Sequence, residues 1–243
     1  MGIETAVLTD TGQVRDHNED SVSVAPTSGG RLLAVADGMG GHNAGEVASA
    51  VALETFVAEV GERLADADPE TGLSAAALAA DEAVREAAAD ESDRDGMGTT
   101  LVAGLVGPEE TTVVNVGDSR AYRVDDAAIE QVSVDHSLVQ ELVDAGEIAP
   151  EEAESHRQRN VISQALGVGD AIEPDTFSVD LAAGEVLLCC SDGLTEEVAE
   201  STIHDVLTRE DSLQSAAEAL VSTANRNGGS DNVSVVLGRH GPD

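Results

Sequence analysis

Four apolar runs in this 243-residue chain each meet an aspartate at one end. "LLAVADG" delivers Asp37 and "EVLLCCSDG" delivers Asp192, each followed by a glycine read as the residue that lets the chain turn. "TVVNVGDSR" places Asp118 after a third run, and in "GGSDNVSVV" Asp231 stands just before a fourth. One aspartate in such a place is ordinarily a turn residue or a helix cap. Four on separate strand-like runs are harder to treat that way. Carboxylates gathered at one edge repel unless a cation neutralises them, and hard divalent ions prefer oxygen ligands.

The rest of the chain supplies the strands and helices such an edge needs. Strand-like runs occur at 3–8, 21–25, 31–36, 99–106, 111–116, 121–124, 129–132, 176–181, 186–190 and 232–237, with residues 106–112 reading as a hairpin connection. Helical periodicity covers 44–64, where Val47, Ala50, Leu53, Val57, Val60 and Leu64 form one apolar stripe. Alanine-rich 73–89 and residues 211–225 make two more helices, and shorter helical pieces fall at 137–145 and 200–208. Strands in adjacent pairs, with long helices between groups, argue against βαβ alternation. The expected class is α+β, mostly antiparallel sheets covered by amphipathic helices in a single domain over 1–243.

Charge bears on solvent and partners more than on fold. The chain has 48 acidic residues against 12 basic ones, a net of −36, and every basic residue is arginine. Acidic, aromatic-poor chains are often disordered. Here Val, Leu, Ile and Phe make up 58 of the 243 residues, above the ~20% level that signals disorder. Molar salt shortens the Debye length to about 3 Å and removes the self-repulsion of such a surface. The lysine-free, carboxylate-rich composition resembles cytosolic proteins of extreme halophiles. Nucleic-acid phosphate is repelled, so no nucleic-acid partner is expected. No leader-like or membrane-spanning apolar run is evident, so a cytoplasmic protein with no membrane partner is expected. Adjacent Cys189 and Cys190 point to opposite faces of a strand and read as small buried hydrophobes rather than redox groups.

The glycine-rich stretch after Asp37, "GMGGHNAGEV", invites a nucleotide-binding reading and fails it. A dinucleotide fingerprint starting at Gly38 needs glycine where Asn43 stands, and a P-loop needs Lys and Ser/Thr where Glu46 and Val47 stand. The N-terminal "GQVRDHNEDS" adds Arg15 and the acidic pair Glu19–Asp20, in what reads as a polar turn between two strands. A guanidinium beside carboxylates is either an ion pair or part of a phosphate-hydrolysing site.

The blocks "VRDHNEDS", "LAVADGMGGHNAGEVAS", "MGTTLV", "VGDSRAY", "DHS", "ISQALG", "LLCCSDGL" and "SDNVSVV" together resemble the metal-dependent Ser/Thr protein phosphatases of the PPM (PP2C) family. The likeness is to compact bacterial-type members, and it runs over residues 3–238 with the blocks in family order. It implies a four-layer αββα sandwich, two central mostly antiparallel sheets flanked by helix pairs, with a two-metal site at one edge. By resemblance Asp37 bridges two Mn2+ or Mg2+ ions, and Asp192 and Asp231 bind the first. The Gly38 carbonyl, Glu19 and Asp20 serve the second, and Asp118 with Asp192 forms a weaker third position. Arg15 matches the substrate-phosphate arginine, and Asn232 orients Asp231 from the second rank. The implied reaction is hydrolysis of phosphoserine and phosphothreonine by direct attack of a water bridging the two metals, without a covalent phosphoenzyme.

Many eukaryotic relatives carry a histidine where this chain has Met39. His42 is then a candidate proton donor, with a structural role at the helix entry as the competing reading; His17 and His136 read as local hydrogen-bonders. Residues 140–162 correspond to the family's variable flap, a solvated helix pair being the alternative for the same polar stretch. The implied partners are phosphorylated proteins and a cognate Ser/Thr kinase in signal transduction, and a monomer is expected. A degenerate phosphatase fold that only binds a phosphoprotein is the alternative function. Such modules lose metal aspartates, and none is missing here.

Overall fold

The computed structural model describes residues 2–41, 44–91, 94, 96–108, 110–153, 156–169 and 171–241. His42 lies outside the described residues. One antiparallel sheet has the order β1 (Ile3–Asp10), β11 (Val233–His240), β10 (Val186–Cys190), β7 (Arg120–Val124), β8 (Ile129–Gln131). The other runs β2 (Asp20–Thr27), β3 (Gly30–Met39), β5 (Leu101–Val106), β6 (Thr111–Val116), β9 (Asp175–Val179), with the two-residue β4 (Gly98–Thr99) pairing the end of β3.

Period-two alternation in the strands sorts the core into three layers. Leu33 and Val35 of β3 meet Leu187 and Cys189 of β10 and Val236 of β11 between the sheets. Leu32, Ala34 and Ala36 face the other way, onto α1 (Ala44–Arg63) and α2 (Pro69–Asp90). Leu188, Cys190, Val235 and Leu237 face α6 (Glu200–Arg209) and α7 (Leu213–Asn227). The result is the four-layer sandwich. Cys189 and Cys190 are both buried and free, one facing the partner sheet and one the helices.

Local signals fix the helix starts. Asp68 caps α2 by accepting from Thr71 N at 3.0 Å, with Pro69 in the first turn. Ser212 caps α7 by accepting from Ser215 N at 3.1 Å. The expected α1 stripe lies on the core side: Leu53 and Val60 are buried, Val47, Val57 and Leu64 pack against the core, and only Ala50 is exposed, while Ala48, Ala52 and Phe56 are also fully buried. Ala48 and Ala52 let α1 lie close to both β3 and α2.

Most expected strands shift by one to three residues at their ends, and two of these shifts bear on the acidic edge. The run 99–106 breaks at Thr100, whose side chain turns to Asp37 and Ser119 instead of continuing the ladder. The polar turn ends one residue early, because Asp20 already pairs with Asp37 as the first residue of β2. The pairing of β1 with β11, Asp10 opposite Val233, brings the 11–19 loop and residues 228–232 to one end of the sandwich. Cys190 pairs with Val235 and with Arg120, which carries Asp192 and Asp118 to the same end.

Candidate active site

Asp37 sits at the centre of that end. Its N–H donates to Thr100 Oγ1 at 3.0 Å. Its carbonyl accepts from Thr100 N at 2.9 Å and from Thr99 Oγ1 at 2.8 Å. The Thr100 hydroxyl also meets Ser119 Oγ at 2.8 Å, tying this brace to the Asp118 turn. Directly across the ladder stands Asp20, and like charges in that position destabilise a sheet. Burial pushes the Asp37 carboxyl well above its usual range, and Asp20, Asp192, Asp118 and Asp231 add to the rise in that order. Asp20, Asp192, Asp118 and Asp231 all lie near enough to Asp37 for their charges to act on it.

Each neighbour is held by its own contacts. Asp20 Oδ2 accepts from Ser191 Oγ at 2.8 Å and Ser234 Oγ at 2.6 Å. Burial still raises its pKa to about 6 against the pull of those hydroxyls. Asp192 opens the short helix α5 (Asp192–Thr195) directly after β10. Burial, then Asp118 and Glu196, push it up to about 8. Asp118, in the turn before β7, rises to about 6 through burial and then the Asp135 charge. Oδ1 of Asp20 and Oδ1 of Asp192 are buried with no hydrogen-bond partner among the described residues. Orphaned carboxylate oxygens in a surplus of negative charge fit hard divalent cations. As they stand, no three acidic, imidazole or thiol groups among the described residues close around one point as a finished cage.

The two glycines play a different part from the expected turn. Gly38 is extended within β3, and a Cβ there would collide with the carbonyl oxygens of Gly45 and Glu19. Gly193 lies in α5, where a Cβ would collide with the Asn232 carbonyl. Both are demanded by close approach of backbone to backbone, which packs the ends of β2, α1 and β11 against the carboxylates.

The 11–19 loop carries the basic group. Arg15 Nη2 lies 2.6 Å from Asp231 Oδ2, with side chains 49% and 29% exposed. Burial raises the pKa of Glu19, opposed by the Arg15 charge. Asn232 acts differently from expectation: its side chain accepts from Glu19 N at 2.7 Å and donates to the Thr11 and His17 carbonyls, both at 2.9 Å. Its side chain thus organises the Arg15 loop, and only its N–H, 2.8 Å from Asp231 Oδ1, orients the aspartate. His17 itself is exposed. His136 is buried; Nδ1 accepts from Gly117 N at 3.2 Å and Nε2 lies 3.1 Å from Asp175 Oδ2, so it braces the Gly117–Asp118 turn.

Sequence reasoning assigned no role to Thr99, Thr100, Ser191 or Ser234. A usable signal existed, since each is a hydroxyl residue at a strand end within three positions of a block glycine or aspartate. Beside the carboxylates, a cleft of about 610 Å³ runs from Asp118 and Asp192 under α3 (Leu138–Asp144) and α4 (Pro150–Ala153). Arg159 Nη1 pairs with Glu196 Oε1 at 2.7 Å across it.

The family model of protein phosphatase 2C matches residues 12–237. The serine/threonine phosphatase stp of Listeria welshimeri is 40% identical over 233 residues, spanning 94% of this chain and 92% of that protein. The crystal structure of the Mycobacterium tuberculosis serine/threonine phosphatase PstP/Ppp superposes with a TM-score of 0.89 at 40% identity, covering 98% of this chain and 99% of that one. The catalytic domain of a phosphatase PstP in complex with two manganese ions superposes with a TM-score of 0.85 at 39% identity, covering 98% and 97%.

Proposed function

The chain belongs to the protein phosphatase 2C family, and we propose that it is a metal-dependent serine/threonine protein phosphatase working at this acidic edge. The observation that carries the reading is the in-register pair of buried Asp20 and half-buried Asp37, joined by Asp192, Asp118 and Asp231. Asp37, Asp192 and Asp231 would hold one Mn2+ or Mg2+ ion. Asp37, the Gly38 carbonyl, Glu19 and Asp20 would hold a second, and Asp118 with Asp192 a weaker third. When bound, the two principal ions lower the pKa of the attacking water and neutralise charge on the phosphoryl oxygens.

The chain's own groups do the positioning. Thr99 and Thr100 fix the Asp37 backbone, and Ser191 and Ser234 aim Asp20 by binding one of its oxygens. Arg15, half-exposed on Asp231, offers a planar fork of donors that can exchange a carboxylate for phosphate oxygens. His136 has both ring nitrogens engaged and leaves the proton transfer to the departing hydroxyl to other groups. The test is phosphate release from a phosphoserine peptide in molar salt. Chelation should abolish it, added Mn2+ should restore it, and Asp192→Asn should remain inactive with Mn2+. Persistence of activity after chelation overturns the reading.

The same reading extends to setting. The charge of −36 with no lysine suits a salt-rich cytoplasm. There the protein acts as a monomer on phosphoproteins modified by a cognate Ser/Thr kinase, as one arm of signal transduction. No helix among the described residues is long and apolar enough to cross a membrane. Residues 140–162 form a flap within a single domain spanning 1–243. The Arg159–Glu196 bridge, spanning the cleft beside Asp118 and Asp192, supports that division. Melting curves across a KCl series test the salt adaptation: a transition independent of salt contradicts it.

A further inference from the structure

A second cleft, of about 480 Å³, is lined by Met39 at the end of β3 and by the segment that follows the flap. Met39 forms the wall nearest the carboxylates, and Ile162, Ala165, Val168 and Ile172 line it further out. On its polar rim Gln164 Oε1 accepts from Glu173 N at 2.8 Å. In a chain whose charge is −36, a hollow whose walls are mainly aliphatic, with Glu173 as its one acidic lining residue, stands apart.

The cleft is rigidly joined to Asp37. Met39 pairs with Gly98 and Gly38 with Thr99. Thr99 in turn exchanges backbone bonds of 3.0 and 2.9 Å with Leu166. The far rim is anchored from α2: Asp81 Oδ1 accepts from Gly167 N at 2.8 Å, and Arg85 donates to the Val168 and Gly169 carbonyls at 3.2 and 3.1 Å. The hollow is therefore built before any ligand arrives.

Asp37 and Met39 are two residues apart in one strand, so they project to the same side about 7 Å apart. An extended peptide has the same repeat: a phosphorylated side chain at the carboxylates presents the residue two positions away on the same side, again about 7 Å along. Resting on the phosphatase reading above, we infer that this cleft takes an aliphatic side chain two residues from the phosphoserine or phosphothreonine. Substrate choice then comes from apolar contact, which persists in molar salt, where preferences based on charge are screened.

The experiment compares Mn2+-loaded wild-type protein on phosphoserine peptides in molar KCl. Leucine is placed at +2, −2, +1 or −1 of an otherwise glycine–serine sequence, with an aryl phosphate as reference. The expected result is a kcat/KM roughly tenfold higher for leucine at one of the two-residue positions than for the all-glycine peptide, the size of one partly buried leucine. Leucine at +1 or −1 should give no gain. Ile162→Asp should bring the leucine-to-glycine ratio close to one, a ratio that a general loss of activity does not alter. Equal rates for all peptides, with the aryl phosphate still hydrolysed, overturn this inference and leave the phosphatase reading standing. Failure to hydrolyse any of the substrates overturns both.

Discussion

Asp37 and Asp231 stand at the same edge of the sandwich and are held in opposite ways. The Asp37 backbone is clamped by three hydrogen bonds with Thr99 and Thr100, and the residue is half-buried and faces Asp20 across the ladder. Asp231 lies in a loop, keeps 29% of its side chain exposed, and rests on the guanidinium of Arg15. The first can relieve its charge only by taking a proton or a cation. The second already has a cation, on a side chain free to leave. The sheet-borne carboxylates thus form a fixed centre of negative charge, and the loop-borne groups an adjustable border that can answer to substrate.

Removing charge from the fixed centre should have the largest effect. Asp37→Asn is expected to abolish phosphate release and, in chelator-treated protein, to raise the melting temperature, since one of several crowded buried charges is gone. A melting temperature that falls instead would mean the carboxylates do not repel one another. On the border, Arg15→Ala is expected to lower kcat/KM by roughly 10²-fold, as loss of a charge-stabilising donor does. Its melting temperature should hardly move, because half-exposed ion pairs contribute only about 0–1 kcal/mol. Thr100→Val removes the hydroxyl from both Asp37 N and Ser119 Oγ. It should cost about 1–3 kcal/mol of stability and roughly 10–100-fold in Mn2+ affinity by titration calorimetry. If Arg15→Ala destabilises as much as Thr100→Val, the distinction between centre and border is lost.

How much of this was legible in the sequence follows the same division. The strand-end aspartates announced themselves, because an apolar run ending in Asp-Gly is a local pattern. Asp20 opposite Asp37 was not readable without pairing register, which depends on two segments at once. Gly38 and Gly193 looked like turn residues, but the contacts that forbid a Cβ come from Gly45, Glu19 and Asn232, distant in sequence. Asn232 appeared to serve its neighbour Asp231, and its side chain reaches the 11–19 loop instead. The α1 stripe met the core face but took in exposed Ala50 and left out Ala48, Ala52 and Phe56, which pack most deeply. Local chemistry was legible in each case, and what was hidden is the partner a fold brings from elsewhere.

A smaller effect separates centre from border by pH. Burial and crowding raise Asp192 to about 8 and Asp20 and Asp118 to about 6, from an ordinary value of 3.8. Between those limits the folded, metal-free protein holds protons that the unfolded chain has released. Its stability therefore falls as pH rises through the window, and Asp37, raised as well, adds to the fall. Exposed Asp68 and half-buried Asp125 run the other way: N–H groups of Thr71, and of Ala127 and Ala128, lower their pKa, so their contribution is present above the ordinary value and lost only in acid. The interval from pH 6 to 8 thus isolates Asp192 and its neighbours. Melting curves in EDTA and molar KCl should shift to lower temperature from pH 6 to pH 8. With saturating Mn2+ the trend should reverse, because ligands must shed protons to bind the ion and the gain from metal grows with pH. The same pair of series on Arg15→Ala should be parallel to wild type. A flattened EDTA series in that variant would place Arg15 within the fixed centre rather than on its border.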